Sequence, residues 1–176
     1  MLMMPMTLEL IAASAGNAVY AMDRASGNSV SVWQTYNWPD INIQAATKTE
    51  VWNPTTTLSN HEVCSACKDP KAAINSDGKA VAIWIGTDPT TSIERIYACT
   101  YDSNSWSQPE AISARDEHIV DATHKVMLSS TGEKEINKIN ITWKSFMPAT
   151  GTISVRSRSS GETFGTWSET INTLNP

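Results

Sequence analysis

The segment Gly27-Asn-Ser-Val-Ser-Val-Trp33 returns 51 positions later as Gly78-Lys-Ala-Val-Ala-Ile-Trp84. A looser third copy runs from Gly132 to Trp143 and ends in Lys-Ile-Asn-Ile-Thr-Trp. In each copy a glycine precedes an alternating run that ends on tryptophan, a pattern typical of a turn followed by a β-strand. Because the same order of features returns about every 50 residues, we expect a fold assembled from repeated units.

Each copy continues with a second set of features. A proline follows the first tryptophan in a polar segment typical of a hairpin loop, and a second alternating run then leads to a second tryptophan. The prolines are Pro39, Pro89 and Pro148, the first tryptophans are Trp33, Trp84 and Trp143, and the second tryptophans are Trp52, Trp106 and Trp167. A short run also precedes each glycine, so every copy is predicted to hold four strands. No window shows a sustained helical period.

Four short strands in a repeat of about 50 residues are typical of a β-propeller blade. We therefore expect an all-β fold with three four-stranded antiparallel blades that form part of a six- or seven-bladed β-propeller. The predicted blades span residues ~15–60, ~68–114 and ~122–175. Residues 1–14 are expected to be an extra strand or the remnant of a preceding blade.

Two segments of the second copy carry a family resemblance. Asn75-Ser-Asp-Gly-Lys-Ala-Val-Ala-Ile-Trp84 and Trp106-Ser-Gln-Pro-Glu-Ala-Ile-Ser113 resemble the repeats of bacterial sialidase-like propellers, which are related to the BNR and Asp-box repeats. The resemblance extends from Asn17 to Leu174. It implies a propeller fold, a carbohydrate-related role and an extracellular or cell-surface location.

The number of copies has a consequence for assembly. Each blade of a propeller buries both faces against its neighbours, so three blades by themselves leave two apolar faces bare. A homodimer of two arcs closes a six-bladed ring, because a two-fold pairing covers both faces. The alternative is a longer chain that supplies the missing blades.

Composition removes several classes of function. A net charge of −5 without a run of Lys or Arg does not provide the basic footprint of a nucleic-acid-binding protein. The apolar start from Met1 to Met6 has no basic leader and is too short for a membrane span, so no signal peptide is readable. No cofactor is predicted. Three cysteines are too few for a disulfide framework, so the core must hold the fold.

A ligand site is expected at one end of the sheets. In antiparallel blades, the loops between second and third strands lie at the same end as the connectors between copies, and these are the irregular segments. The candidate ligand-binding residues at this end are Trp38, Asp40, Asp69, Asp88 and Phe146. Trp38 offers an aromatic face for stacking on a sugar, and Asp69 is expected to open its first strand at the mouth of the channel. The alternative is that these residues only cap strands or turns.

The connector after the first copy contains Cys64-Ser-Ala-Cys67. This spacing suits a tetrahedral zinc site, with His61 as a further candidate ligand, or a local disulfide. The alternative is that two small residues simply pack the connector.

Three functions are therefore compared. The leading hypothesis is a non-catalytic binding module for a carbohydrate or protein ligand, because propellers carry clustered loops on a rigid frame. The second is an interaction scaffold that completes a ring with a partner. The third is a fragment of a sialidase-like glycoside hydrolase. Five arginines without an Arg-x-Pro segment, and no evident acid and base pair, weigh against this third hypothesis.

Overall fold

The protein is described by a computed structural model in which residues 15–37, 40–120, 123–130, 137–160, 163–168 and 171–174 are placed. Across these residues the fold is all-β and contains no helix, as the sequence predicted. No helix in these ranges is therefore long and apolar enough to cross a membrane. The predicted strand or remnant at residues 1–14, the glycine of the third copy, Gly132, and Trp38 lie outside the described residues.

In the described part of the chain, fourteen strands form three separate antiparallel sheets. The first sheet contains β1 (Ala15–Met22), β2 (Ser29–Asn37), β3 (Asp40–Lys48) and β4 (Thr56–Thr57). The second contains β5 (Ser65–Ile74), β6 (Ala80–Thr87), β7 (Glu94–Asp102), β8 (Ser105–Trp106) and β9 (Glu110–Ala111). The third contains β10 (His118–Ile119), β11 (Lys125–Leu128), β12 (Ile139–Met147), β13 (Thr152–Ser159) and β14 (Ile171–Leu174).

Each sheet is a meander with four strand positions. In the second sheet the fourth position is divided, since β8 and β9 both pair with β7. In the third sheet the first position is divided, since β10 and β11 both pair with β12. The five-stranded sheets therefore keep the four-position plan that the repeat indicated.

Two hydrophobic cores separate the three sheets. The first core lies between the first and second sheets and includes Val30, Val32 and Trp84, whereas the second lies between the second and third sheets and includes Ile83 and Trp143. The second sheet buries both of its faces, which explains why β6 is apolar at consecutive positions. The first strand of the second sheet, β5, contacts the first strands β1 and β11 of the neighbouring sheets.

The repeated glycine has a conformational cause. Gly27 and Gly78 have φ values of +77° and +76°, in the left-handed region that side chains with a Cβ rarely adopt. Both residues lie in the turn between the first and second strands of their sheets. The repeat is therefore readable in the sequence because each turn needs the same backbone conformation.

Two expected loop assignments were wrong. Cys67 and Asp69 were placed in a connector or at the start of a strand, but both lie inside β5. Phe146 was placed in a loop, but it lies in β12 and pairs with His118 and Ile153. The alternation of β5 is hidden in the sequence because its pairing with β6 shifts register twice, between Ser65 and Lys71.

The two outer faces differ in polarity. On the first sheet, Tyr20 and Met22 are exposed and Tyr20 packs against Trp52. On β12, Asn140 and Lys144 alternate with buried core residues and so face away from the second sheet. The equivalent positions of β6 are isoleucine or valine in the second core, so the third sheet presents a more polar face than the second.

Candidate functional site at the connector end

The ends of β2, β6 and β12 and the described parts of the connectors ahead of β5 and β11 lie at one end of the sheets, which we call the connector end. The three histidines of the chain, His61, His118 and His124, all belong to these connectors or to the strand that interrupts them. The opposite end holds the tight turns around Gly27, Gly78 and Asn104. The described histidines therefore lie at the connector end.

The first strands of two sheets carry matching bulges in the half nearest the connector end. Asn17 in β1 has φ +44° and Asp69 in β5 has φ +51°, and each lies at a shift in strand register. Asn and Asp tolerate this left-handed conformation better than other residues with a side chain. Because β1 and β5 contact each other, the two bulges place the Asn17 amide and the Asp69 carboxylate on neighbouring first strands, which we call the inner strands.

A chain of hydrogen bonds connects the two bulges. Asn17 Nδ2 donates to Gln34 Oε1 at 2.5 Å, and Gln34 Nε2 donates to the Cys67 carbonyl at 2.9 Å. Gln34 is buried, so both ends of its amide are satisfied inside the interface. Cys67 lies two residues before Asp69, and the chain therefore fixes the first bulge relative to the second.

In the described part of the chain, Asp69 makes a hydrogen bond through its backbone carbonyl but not through its carboxylate. Its carbonyl accepts a 2.7 Å hydrogen bond from Nε2 of the buried His124. Among the described residues, no hydrogen bond engages the half-buried Asp69 carboxylate. Burial, together with the charge of Lys71, lowers the pKa of His124, which favours a neutral imidazole beside the Asp69 carbonyl.

Tyr36 is an aromatic group that the sequence analysis did not single out. Its side chain is 50% exposed and its ring lies across Gly16, where an added Cβ would be 2.7 Å from Tyr36 Cε2. Gly16 immediately precedes Asn17, so an open aromatic ring lies next to the first bulge. The sequence signal was the Gly16-Asn17 pair in a strand, because glycine inside a strand marks a close approach of another group.

Two other predicted aspartates are engaged with neighbours. Asp40 Oδ1 lies 3.1 Å from His61 Nδ1, in an exposed pair between β3 and the connector. Asp88 is buried in its loop, where its carboxylate accepts hydrogen bonds from the Thr90 and Thr91 amides and from Arg95. Burial by itself raises the pKa of Asp88, but these donors outweigh burial and place the pKa below its usual range.

Phe146 is half-buried in β12, and the structure describes no contact that joins it to Asp69 or Asp40. The four predicted ligand-binding residues that the structure describes, Asp40, Asp69, Asp88 and Phe146, therefore lie toward the connector end without forming one cluster. Their role in binding stays a prediction.

The arginines of the second and third sheets take part in packing. Arg95 pairs with Asp88 and donates to the Ser113 carbonyl, and Arg158 donates to the Ile112 and Ser168 carbonyls. Arg156 Nε lies 3.4 Å from Glu117 Oε2 inside the interface. These three guanidinium groups are thus directed at protein groups and do not form a clamp for a substrate carboxylate.

The two cysteines of the Cys-x-x-Cys motif lie together. Cys64 Sγ and Cys67 Sγ are 2.8 Å apart, and both residues are buried beside Trp84. His61 instead pairs with Asp40. In the described ranges, no three side chains of His, Cys, Asp or Glu converge as ligands for a metal ion.

Comparison with known proteins shows similarity in fold. No family model and no curated protein matches the sequence. Solved glycoside hydrolases and phosphorylases of the propeller type match the structure. One is the GH93 α-L-arabinofuranosidase of Fusarium graminearum in complex with arabinobiose, with a TM-score of 0.55 and 10% identity over 93% of this chain and 49% of that chain.

Two further structures give similar values. A glycosyl hydrolase from Bacteroides ovatus matches with a TM-score of 0.51 and 15% identity, over 93% of this chain and 52% of that chain. The third structure comes from the GH130 family of mannoside phosphorylases, which contains glycoside hydrolases that target β-1,2 mannosidic linkages in Candida mannan. It matches with a TM-score of 0.52 and 13% identity, over 93% of this chain and 52% of that chain. The chain thus spans about half the length of these structures, and the likeness concerns the fold.

Proposed function

We propose that this chain is a non-catalytic carbohydrate-binding module built on sialidase-like propeller blades. The observation that carries the proposal is the placement of Tyr36, Asn17 and Asp69 on or beside the inner strands at the connector end. The fold shared with carbohydrate-active enzymes supports a sugar ligand, and a protein ligand is the alternative.

These three groups match the chemistry of a sugar. The ring of Tyr36 offers a flat apolar surface for the C–H face of a pyranose or furanose. The Asp69 carboxylate accepts hydrogen bonds from sugar hydroxyls, and the Asn17 carbonyl oxygen is a further acceptor because only its amide nitrogen is used by Gln34. A few polar groups around one aromatic surface are typical of small-ligand sites.

The carboxylates at the connector end support a binding role over catalysis. Glycoside hydrolysis generally requires two carboxyl groups about 5–9.5 Å apart across the scissile bond. Asp69 is the one carboxylate on a first strand within the residues described, whereas Asp88 and Glu117 are buried in packing contacts. The proposed site of Tyr36, Asn17 and Asp69 therefore includes one carboxylate among the described residues, which supports binding over hydrolysis.

Binding should be tested first on a glycan array and then by calorimetry with arabinan- and mannan-derived oligosaccharides. We expect Tyr36→Ala and Asp69→Asn each to weaken binding at least tenfold, or about 1.4 kcal/mol. Tyr20→Ala is the matched control, because Tyr20 is equally open but lies on the outer face of the first sheet. Equal affinity of all three variants would exclude this site, and release of free sugar would favour the hydrolase alternative.

A second role is the completion of a ring. The chain spans about half the length of the matched structures, and the first sheet exposes Tyr20, Met22 and Trp52 on its outer face. We infer that a second copy, or further blades of a longer chain, covers this face. Light scattering tests the homodimer: twice the chain mass supports it, and a single chain mass that persists at high concentration contradicts it.

A further inference from the structure

The Cys64 and Cys67 pair has a geometry that favours direct bonding between the two sulfurs. Their Sγ atoms are 2.8 Å apart. This distance exceeds the length of a disulfide bond by less than about 1 Å. Ala66 between them has φ +46°, which turns the chain so that both side chains point to the same place. The two thiols are in contact inside a protein interior that is otherwise closely packed.

The surroundings disfavour a metal ion as the occupant. A structural zinc needs four ligands, and the nearest histidine of the connector, His61, is paired with Asp40. No third ligand joins the two cysteines in the part of the chain that the structure describes. Cys64 packs against Gly86, where even an added Cβ would lie 2.8 Å from Cys64 Cβ. The site therefore has room for a bond between the sulfurs and little room for an ion.

The two sulfurs are not equivalent. Hydrogen bonds from Cys67 and from the Trp84 indole, at 3.4 Å, lower the pKa of Cys64 even though burial opposes this effect. The hydrogen bond between the two sulfurs, together with burial, raises the pKa of Cys67. Cys64 is thus the sulfur of the pair that loses its proton more readily, and one residue, Val63, separates it from the exposed turn at Asn60 to Glu62.

We propose that Cys64 and Cys67 form an intramolecular disulfide that fixes the bulge at the start of β5. In the first step the Cys64 thiolate attacks one sulfur of a small-molecule disulfide such as glutathione disulfide, which forms a mixed disulfide and releases one thiolate. In the second step Cys67 loses its proton and attacks Cys64 Sγ, which releases the second thiolate. Two protein thiols are oxidised, and one disulfide is reduced to two thiols.

The bridge has a defined structural effect. The Cys67 carbonyl accepts the Gln34 amide that joins the first and second sheets, and Asp69 lies two residues further along β5. The disulfide closes the turn from Cys64 to Cys67 and thereby restricts the positions of the Cys67 carbonyl and of Asp69. Because both sulfurs are buried, oxidation of the folded protein requires opening of the turn ahead of Cys64, and mild denaturant should accelerate it.

The test counts thiols in glutathione redox buffers of graded potential, without any assumption about ligand binding. After acid quenching, denaturation and labelling with N-ethylmaleimide, the reduced protein should carry three labels and the oxidised protein one, on Cys99. As the buffer becomes more oxidising, Cys99→Ser should pass from two labels per chain to none. Cys64→Ser should keep two labels at every potential. The oxidised wild-type protein should melt about 5 °C higher than the reduced protein, with no redox-dependent shift in Cys64→Ser.

Four results would overturn the proposal. The first is three labels at every potential, and the second is a stable mixed disulfide with glutathione in place of the internal bridge. The third is stoichiometric zinc binding in equilibrium dialysis that protects both cysteines from the label. A non-reducing gel completes the assay, because a dimer linked through Cys64 or Cys67 would also contradict an internal bridge.

Discussion

The indole Nε1 of Trp143 donates a 3.0 Å hydrogen bond to Glu117 Oε1 between the second and third sheets. The equivalent tryptophan of the second sheet, Trp84, donates to Cys64 Sγ at 3.4 Å. In both cases the partner comes from the connector that leads into the sheet. The repeated tryptophan therefore fills the core with its rings and anchors the incoming chain with its N–H group.

Glu117→Ala is expected to destabilise the protein by about 3–5 kcal/mol. Glu117 is 0% exposed, accepts hydrogen bonds from Trp143 and the Ala114 amide, and faces Arg156, so its removal leaves a buried cation without its partner. Urea unfolding measures the loss. Asp116→Ala is the control, because this neighbouring acid is exposed, and its change should stay within about 0.5 kcal/mol. A similar stability for both variants would contradict this role.

Asn75→Asp is expected to weaken the junction of the second and third sheets while preserving the local turn. Asn75 Oδ1 accepts the Asp77 and Lys79 amides, whereas Nδ2 donates to the Ser129 carbonyl across the interface. An aspartate carboxylate still accepts the Asp77 and Lys79 amides, but it cannot donate to Ser129 and places a negative oxygen near the Ser129 carbonyl.

We expect a loss of about 1–3 kcal/mol for Asn75→Asp and a larger loss for Asn75→Ala, both measured by thermal and urea unfolding. Gln108→Ala, on an exposed loop, provides the control. An Asn75→Asp protein as stable as the wild type would show that the inter-sheet hydrogen bond contributes nothing.

His124 is expected to make the protein less stable as the pH falls from about 7.5 to 5.5. Its pKa is lowered in the folded state by burial, so the unfolded chain binds the proton more readily. Stability is therefore complete above the unfolded pKa of about 6.5 and declines as the pH drops through that value toward the folded pKa. In the described part of the chain His124 Nδ1 has no hydrogen-bond partner, so protonation there creates a buried, unpaired charge.

The measurement is the free energy of unfolding at pH 7.5, 6.5 and 5.5 in wild type and His124→Gln. The decline with falling pH should be smaller in the variant. His118→Gln serves as the control because His118 is exposed, and it should keep the wild-type slope. A wild-type slope that persists in His124→Gln would assign the effect to other groups.

Gly16→Ala is expected to separate ligand binding from stability. The new methyl group would lie 2.7 Å from Tyr36 Cε2, and since that ring is half exposed, it can move away at small cost. We predict a stability change below about 1 kcal/mol but a loss of sugar affinity similar to that of Tyr36→Ala. Ala18→Ser, at an exposed position of the same strand, should alter neither property. Unchanged affinity in Gly16→Ala would remove Tyr36 from the site.

Much of the candidate site was hidden in the sequence for a physical reason. The repeat pointed to the connector end and to Asp69, but the bulges of β1 and β5 break the alternation from which strands are recognised. Tyr36 was overlooked because its significance depends on Gly16, a residue twenty positions earlier that only strand pairing brings beneath the ring. The contacts of Asp40 with His61 and of Asp88 with Arg95 are likewise set by loop geometry.

By itself, the sequence determined the all-β class, the four-position sheet and the tryptophan that each sheet buries, because strand alternation and left-handed glycine turns are local properties that repeat along the chain. Tertiary structure alone decided which polar groups meet. The Glu117–Trp143 pair depends on how the second and third sheets stack, the Asn17–Gln34 bridge on the pairing of β1 with β2, and the contact of the Cys64 and Cys67 sulfurs on the turn at Ala66. Stacking is governed by shape and burial between distant segments, and no local pattern in the sequence records it.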